Sequence, residues 1–511
     1  MKKYSLIIVC FISLTVFSQE EKTYYDTFFS EPEKEMPVPY LSEQKAQKYY
    51  TSYKNANNFL ALLADKHPDI IQISDIGKTQ RGHKIPMVMV SLKNDIPDTE
   101  KVKVTFIGGI HGNEPISSDG LLYLIHELTE KSEYQYLLEK VILQVLPIVN
   151  VDGRHIDNRA SNNGIDLNRN LNLLSVPETA NLRKAINLFD PQVVVDFHEF
   201  NPNRNDFKEI SDCLTSGIDA QFLYTGNLNV NPAIREMIKT DFVEPTKLVL
   251  QNNNRTVANY SSTFWNGQSL HLNLGAISSR SSASNYALQN RISILMELRG
   301  VTEREKTIKR RIETSFLTAT SYLSIVNKKA DEIKKTVLEA NEATVNELRP
   351  IVVLSEAEII KEPYRFINTC TNKTEIIYFE TKNNINHTAV KTRPRADGYV
   401  VVTKNKHVIE ILKNSGIEIS KLKNPTLLEL QAYKLDNINV PYLISIPYKL
   451  PAGAIIINAK QKMGNLLVDL LEPELSNSLV TNKTLKKIKG TELLGIFRIN
   501  KNQLLQLQNI K

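Results

Sequence analysis

Four polar blocks interrupt otherwise apolar stretches of the chain: HGNE at 111–114, GIDLNRN at 164–170, DFHEF at 196–200 and MELRG at 296–300. His111 follows the apolar run Val104-Thr105-Phe106-Ile107 through Gly108 and Gly109, and it precedes Glu114 by three residues. In a turn entering a helix, an imidazole and a carboxylate at that spacing can converge on one cation. The end of a strand is also where open α/β sheets place their sites. A lone His-x-x-Glu pair often arises by chance. His198, at the end of Val193-Val194-Val195-Asp196-Phe197, is the natural third donor. Two histidines and one carboxylate with an open fourth position make a catalytic zinc arrangement. Taken alone, His198 reads better as a buried histidine with a satisfied ring.

The other two blocks add charge of both signs. Asn168 and Arg169 set an amide beside a guanidinium, a directed receptor for a carboxylate, although a polar surface turn would contain the same residues. Glu297 ends the apolar run Ile292 to Met296, two residues before Arg299. An acid at a buried strand end is costly unless it is paired or functional, and Arg299 leaves both readings open.

The elements that must position these residues alternate. Ile85–Leu92, Val102–Ile110, Val141–Val149, Gln192–Phe197 and Ser293–Leu298 are short, apolar and rich in β-branched residues, as buried central strands are. Helical spacing is expected over Ser42–His67, Ser118–Lys131 and Thr179–Phe189, and over Thr302–Leu348 in two pieces. The expected fold class is α/β, a mixed central sheet flanked by helices, followed by a smaller α+β accessory domain. After Arg349 the texture changes. Ile376–Thr381 and Tyr399–Thr403 look like strands, and His407–Ser415 like a helix ending at Gly416. Turn-rich sequence with Pro441, Pro447 and Pro451 then runs to Lys511. The expected division is a signal peptide at 1–18, an extended lead-in at 19–41, a catalytic domain at 42–348 and a C-terminal domain at 349–511.

Composition narrows the classes. With 41% hydrophobic and 23% charged residues over 511 positions, the chain is a folded one. A net charge of +7 without a Lys/Arg stripe interleaved with aromatics gives no support to a nucleic-acid partner. Three cysteines, Cys10, Cys213 and Cys370, fit neither a disulfide scaffold nor a thiolate metal cluster. Lys2 and Lys3, the apolar run Leu6–Ile12 and the small Ser18 read as a secretory signal, too short for a membrane anchor. No other run is long and apolar enough to cross a bilayer. The mature protein is therefore expected to be exported, periplasmic or secreted, with no membrane span. Cys213 and Cys370 could then pair.

Taken together and in this order, the four blocks resemble the zinc carboxypeptidases of the carboxypeptidase A kind, over roughly residues 40 to 340. The tail at 450–480, with LPAG and LLEPE, looks like that of larger bacterial members. The resemblance implies one zinc ion per chain held by His111, Glu114 and His198, with Asp166 orienting a ligating histidine. It implies that Asn168 and Arg169 grip the free C-terminal carboxylate of a peptide substrate, that Arg159 stabilises the oxyanion, and that Glu297 is the general base. Tyr286 is the choice for the family's mobile tyrosine. Arg280 could be an extra anion contact or a solvated loop residue. His67, His83 and His126 read as structural, and the role of His155 stays open.

Three other activities compete with hydrolysis of C-terminal residues. Related deacylases that cleave N-acyl amino acids carry similar blocks, although Glu297 within ELRG is closer to the peptidase version. A cell-wall peptide hydrolase is compatible with export. A degenerate peptidase that binds C-termini without cutting is disfavoured by the complete set of ligands, base and arginines.

Overall fold

The computed structural model describes residues 23–42, 50–436 and 440–509. The expected signal at 1–18 lies outside these residues, as does the 43–49 part of the helix expected over Ser42–His67. The described part of that helix is Tyr53–Lys66, opened by the Ser52 hydroxyl, which accepts from the Asn55 amide.

The centre is an eight-stranded mixed sheet. Its strands are β1 (Ile71–Lys78), β2 (Lys84–Ser91), β3 (Val102–Ile107), β4 (Val141–Leu146), β5 (Val193–Phe200), β6 (Ala220–Leu223), β7 (Val257–Asn259) and β8 (Ile292–Arg299). They lie side by side in the order β1-β2-β4-β3-β5-β8-β6-β7. The four middle strands β4, β3, β5 and β8 run parallel, β2 and β6 pair antiparallel with β4 and β8, β1 pairs antiparallel with β2, and β7 runs parallel to β6. Every residue of β5 is buried, which is why Val193-Val194-Val195 reads as a continuous apolar run rather than an alternating one. Helices Ile116–Glu130, Pro177–Phe189 and Ile308–Lys328 cover the sheet, and Ala330–Val345 follows the last of these as the second piece. The central strands and helices thus fall where the sequence places them, within a few residues.

Two register matches decide where chemistry can occur. In the parallel pair β5–β8, His198 stands opposite Glu297. In the pair β3–β5, Ile107 stands opposite Asp196, so His111 begins its turn just beyond that point. Partnered residues on neighbouring strands share a face. The carboxyl ends of three adjacent strands therefore deliver His111, His198 and Glu297 to one edge.

Residues after 349 are less like the expectation. Ile351–Asn368 and Lys373–Arg393 form a long antiparallel hairpin, and this hairpin pairs with Leu214–Ser216 on one side and Leu270–Leu274 on the other. The disulfide Cys213–Cys370 joins the same two regions. A six-stranded sheet follows, containing Gly398–Val401 and Leu493–Ile499 at its middle. The helix Lys406–Asn414 ends before Gly416, whose φ of +76° is the left-handed conformation that stops helices. The proline-rich stretch is a correction. Pro441 and Pro447 lie inside the strand Pro441–Leu450, not in turns. That strand is the edge of its sheet, where a residue without an N–H loses no ladder bond on its solvent side. The largest apolar core runs from Val88 and Phe197 through Tyr399 and Leu467 without a break.

Candidate active site

The turn after β3 depends on glycine twice. Gly109 has φ +61°, and a Cβ at Gly112 would come within 2.1 Å of the Gly153 carbonyl carbon. Close approach of the 153–158 backbone to the His111 turn is thus available only without a side chain at position 112.

His111, Glu114 and His198 are all buried, and one ligand atom from each lies within 4.8 Å of the others. His111 Nδ1 is 2.7 Å from Glu114 Oε1, His198 Nδ1 is 2.9 Å from Glu114 Oε2, and the two Nδ1 atoms are 3.0 Å apart. The opposite ring nitrogens have carboxylate partners of their own. His111 Nε2 is 3.0 Å from Asp166 Oδ1, and His198 Nε2 is 2.9 Å from Asp196 Oδ2. A carboxylate accepts, so each Nε2 donates outward, which leaves Nδ1 as the nitrogen that can ligate a cation when it gives up its own proton. Once both Nδ1 atoms are free of protons, two lone pairs and the Glu114 carboxylate face one point, an arrangement that a cation stabilises, while Arg159 and the Glu199 amide donate to the same carboxylate. Burial alone would push Glu114 up, yet the two rings hold it well below the usual carboxylate range. Burial would likewise lower His198, but Asp196 and Glu114 outweigh it and hold the ring well above the usual histidine range. Protons thus bind here in the place of a cation, and the donor set is that of a zinc site.

Around this centre lies a cavity of about 570 Å³, lined among others by Arg159, Asn168, Arg169, Tyr260, Arg280 and Glu297. Arg159 donates from Nη1 to Glu114 (3.0 Å) and from Nε to Asp166 (3.2 Å). Asp166 accepts from the Asn168 amide at 2.9 Å and so also shapes the Asn168–Arg169 turn. Arg169 spends one N–H on the Asn168 carbonyl and is otherwise exposed at the rim. Burial pushes the Glu297 carboxyl up to about 7 against the pull of His198, with Glu114 adding to the rise.

Of the residues proposed from sequence, His111, Arg159, Asn168, Arg169 and Glu297 line the cavity, Glu114 and His198 complete the metal-type cluster, and Asp166 braces it. Tyr286 is not brought to this place. It is fully buried among Leu167, Leu171 and Leu182, with the Arg183 guanidinium over its ring. Spacing from Glu297 could not distinguish an inward-facing tyrosine from one facing the cavity, because Tyr286 sits on the short helix Ser282–Ala287, whose packing decides which way it points. Tyr260 and Tyr364 are the tyrosines at the cavity, and burial followed by the charge of Glu297 pushes the Tyr260 hydroxyl up to about 12. Asp196 was also legible in principle, since it lies two residues before His198 on one strand and so on the same face. Glu199 points away from the donors. Its carboxylate accepts from the Ile116 amide and Arg311, while its own amide donates to Glu114 Oε2 at 3.0 Å.

A buried His-Glu-His cluster thus stands at the strand ends of an α/β sheet and opens on an arginine-lined cavity, the donor set of a catalytic metal site. Residues 56–266 match the family model described as zinc carboxypeptidase (peptidase M14). The chain is similar to Carboxypeptidase 2 of Trichophyton tonsurans, at 24% identity over 83% of this chain and 81% of that protein. It is also similar to human Carboxypeptidase D, at 29% identity over 20% of this chain and 8% of the other. Superposition on carboxypeptidase A from Helicoverpa armigera covers 57% of this chain and 78% of that one, with 18% identity and a TM-score of 0.44. The zinc carboxypeptidase match thus covers the segment that carries His111, Glu114 and His198. Glu297 lies beyond the matched residues.

Proposed function

We propose that the protein removes C-terminal residues from peptides, with Glu297 as general base. The observation that carries this reading is the convergence of His111 Nδ1, Glu114 and His198 Nδ1 beside a cavity that also holds Asn168, Arg169 and Glu297. A single zinc ion held by these three donors would supply Lewis acidity, making water a stronger acid and drawing electron density from a carbonyl. Asn168 and Arg169 grip the terminal carboxylate and so fix which bond lies over the donors. Glu297 accepts the proton that the attacking water gives up and returns it to the leaving amine, a role suited to a carboxyl raised to about 7. Arg159 faces the oxygen on which negative charge develops, and Tyr260 takes the place expected for Tyr286 at the cavity wall. Asp166 and Asp196 hold the two imidazoles in the ligating tautomer.

Residues 42–348 are the part that carries this chemistry, and residues 349–511 are an accessory part packed against it. The Cys213–Cys370 bridge favours an oxidising compartment, consistent with export through a signal at 1–18. Among the described residues, no helix is long and apolar enough to cross a membrane.

The test is mass spectrometry of peptides with free and amidated C-termini, N-acyl amino acids and cell-wall peptides, each with and without chelator. Stepwise shortening of free-ended peptides only, lost with chelator, is the expected result. Cleavage confined to acyl amino acids or wall peptides would replace this reading with the corresponding alternative.

A further inference from the structure

One wall of the cavity is the run Ser278-Ser279-Arg280-Ser281-Ser282, in which Ser278, Arg280 and Ser281 line the space. The run has no apolar side chain, so hydrophobic packing cannot fix its position, and hydrogen bonds must do so. On the cavity side, the Ser282 amide donates to Asn168 Oδ1 at 3.0 Å. The Ser282 hydroxyl donates to Asp196 Oδ2 at 2.6 Å, the same oxygen that takes the His198 Nε2 proton. On the far side, the partners come from the C-terminal part of the chain. The Ser279 hydroxyl donates to Asp469 Oδ2, and the Ser278 hydroxyl donates to Asn477 Oδ1 at 3.0 Å. Asn172 Nδ2 adds a bond to Ser279 Oγ at 2.6 Å. Asp469 is 2% exposed on the helix Gly464–Leu471, and Ser279 is fully buried.

We propose that Asp469 is a positioning residue for substrate binding, fixing from the C-terminal part of the chain the serine run that walls the cavity and orients Asn168. This rests on the reading that the cavity takes the carboxylate end of a peptide. It gives the 349–511 part a role in the reaction without placing any of its residues at the reacting atoms. A charged partner suits this role, because hydrogen bonds to ionised acceptors are shorter and stronger than neutral ones.

The experiment measures KM and kcat on a free-ended peptide for the full chain loaded with zinc. It also measures the Kd of that peptide in the Glu297→Gln background, where turnover does not interfere. Asp469→Ala is expected to raise KM and Kd about ten-fold or more while kcat stays within about three-fold and zinc content is unchanged. Asp469→Asn keeps an acceptor oxygen for Ser279 and is expected to restore most of the affinity. Ser279→Ala breaks the same contact from the other side and is expected to act in the same direction if Asp469→Ala does not fold. Glu472→Gln weakens the same C-terminal core away from the serine run, and it is expected to lower stability with KM unchanged. Wild-type cleavage together with an unaltered KM and Kd in Asp469→Ala and Ser279→Ala would overturn this proposal alone, as would an equal rise in KM in Glu472→Gln. A wild-type protein that neither binds nor cleaves free-ended peptides would overturn the proposed function as well.

Discussion

Two buried carboxylates in this molecule are surrounded in opposite ways. Glu472, in the C-terminal part, accepts the Tyr399 hydroxyl on one oxygen at 2.6 Å and the Tyr433 hydroxyl on the other, and Arg498 lies 3.6 Å from the first. Its acceptors meet donors and its charge meets a cation. Glu114 instead faces the Nδ1 atoms of two histidines whose Nε2 protons are committed elsewhere, to Asp166 and Asp196. The first cluster is complete and has nothing left to bind. Glu114 also accepts from Arg159 and the Glu199 amide, but the second cluster presses two imidazole nitrogens 3.0 Å apart against that carboxylate, and a cation can displace their protons there, which marks it as the site.

The difference can be broken at several points. Metal removal has the largest expected effect: dialysis against a chelator should abolish peptide cleavage, and added zinc should restore it. Glu297→Gln should lower kcat by about a thousand-fold, with zinc content unchanged by elemental analysis. A variant with undiminished turnover would remove Glu297 from the chemistry. Arg159→Ala should cost about a hundred-fold in kcat/KM, because it meets charge that develops in the transition state, and it should weaken zinc binding through Asp166.

Proton competition sharpens the same contrast. His198, held above the usual histidine range without a cation, must lose its proton to bind one. Zinc affinity should therefore fall as pH drops, beginning above pH 6.5, by about ten-fold per unit for each proton displaced. Competition titrations at several pH values would measure this, and a pH-independent affinity would contradict the tautomers assigned here.

The remaining effects fall on stability. Glu472→Gln should cost about 1–3 kcal/mol by urea denaturation and leave kcat and KM unchanged, since it removes the charge that Arg498 faces within the C-terminal core. Burial raises Asp469 to about 6 against the donors Ser279 and Asn172, above its ordinary 3.8. The folded state then holds this proton more tightly than the unfolded one. The wild type should lose stability as pH rises from about 4 to 6, by roughly 3 kcal/mol at most, and Asp469→Asn should flatten that slope.

How far the molecule could be read in advance varied with how local the cause was. The central strands were legible because Val193-Val194-Val195 and its neighbours are apolar on both faces, a pattern that only a covered parallel sheet requires. The hairpin Ile351–Asn368 with Lys373–Arg393 was largely missed, because most of its residues are exposed or polar and it gains its partners from Leu214–Ser216 and Leu270–Leu274. Pro441 and Pro447 suggested turns because a proline's tolerance for a strand depends on an edge that only the assembled sheet defines. Tyr286 was a spacing argument, and the helix that carries it turns it into the core.

The sequence by itself determined the metal-type donors, the resemblance to zinc carboxypeptidases and the α/β core, because each rests on residue types at short fixed spacing: His111 with Glu114, Asp196 with His198, and unbroken β-branched runs. Tertiary structure alone decided that Glu297 stands opposite His198, that Tyr260 rather than Tyr286 faces the cavity, and that Asp469 reaches the serine run. These pairings join positions far apart in the chain. Strand register and helix packing set such distances, and no local pattern of residues encodes them.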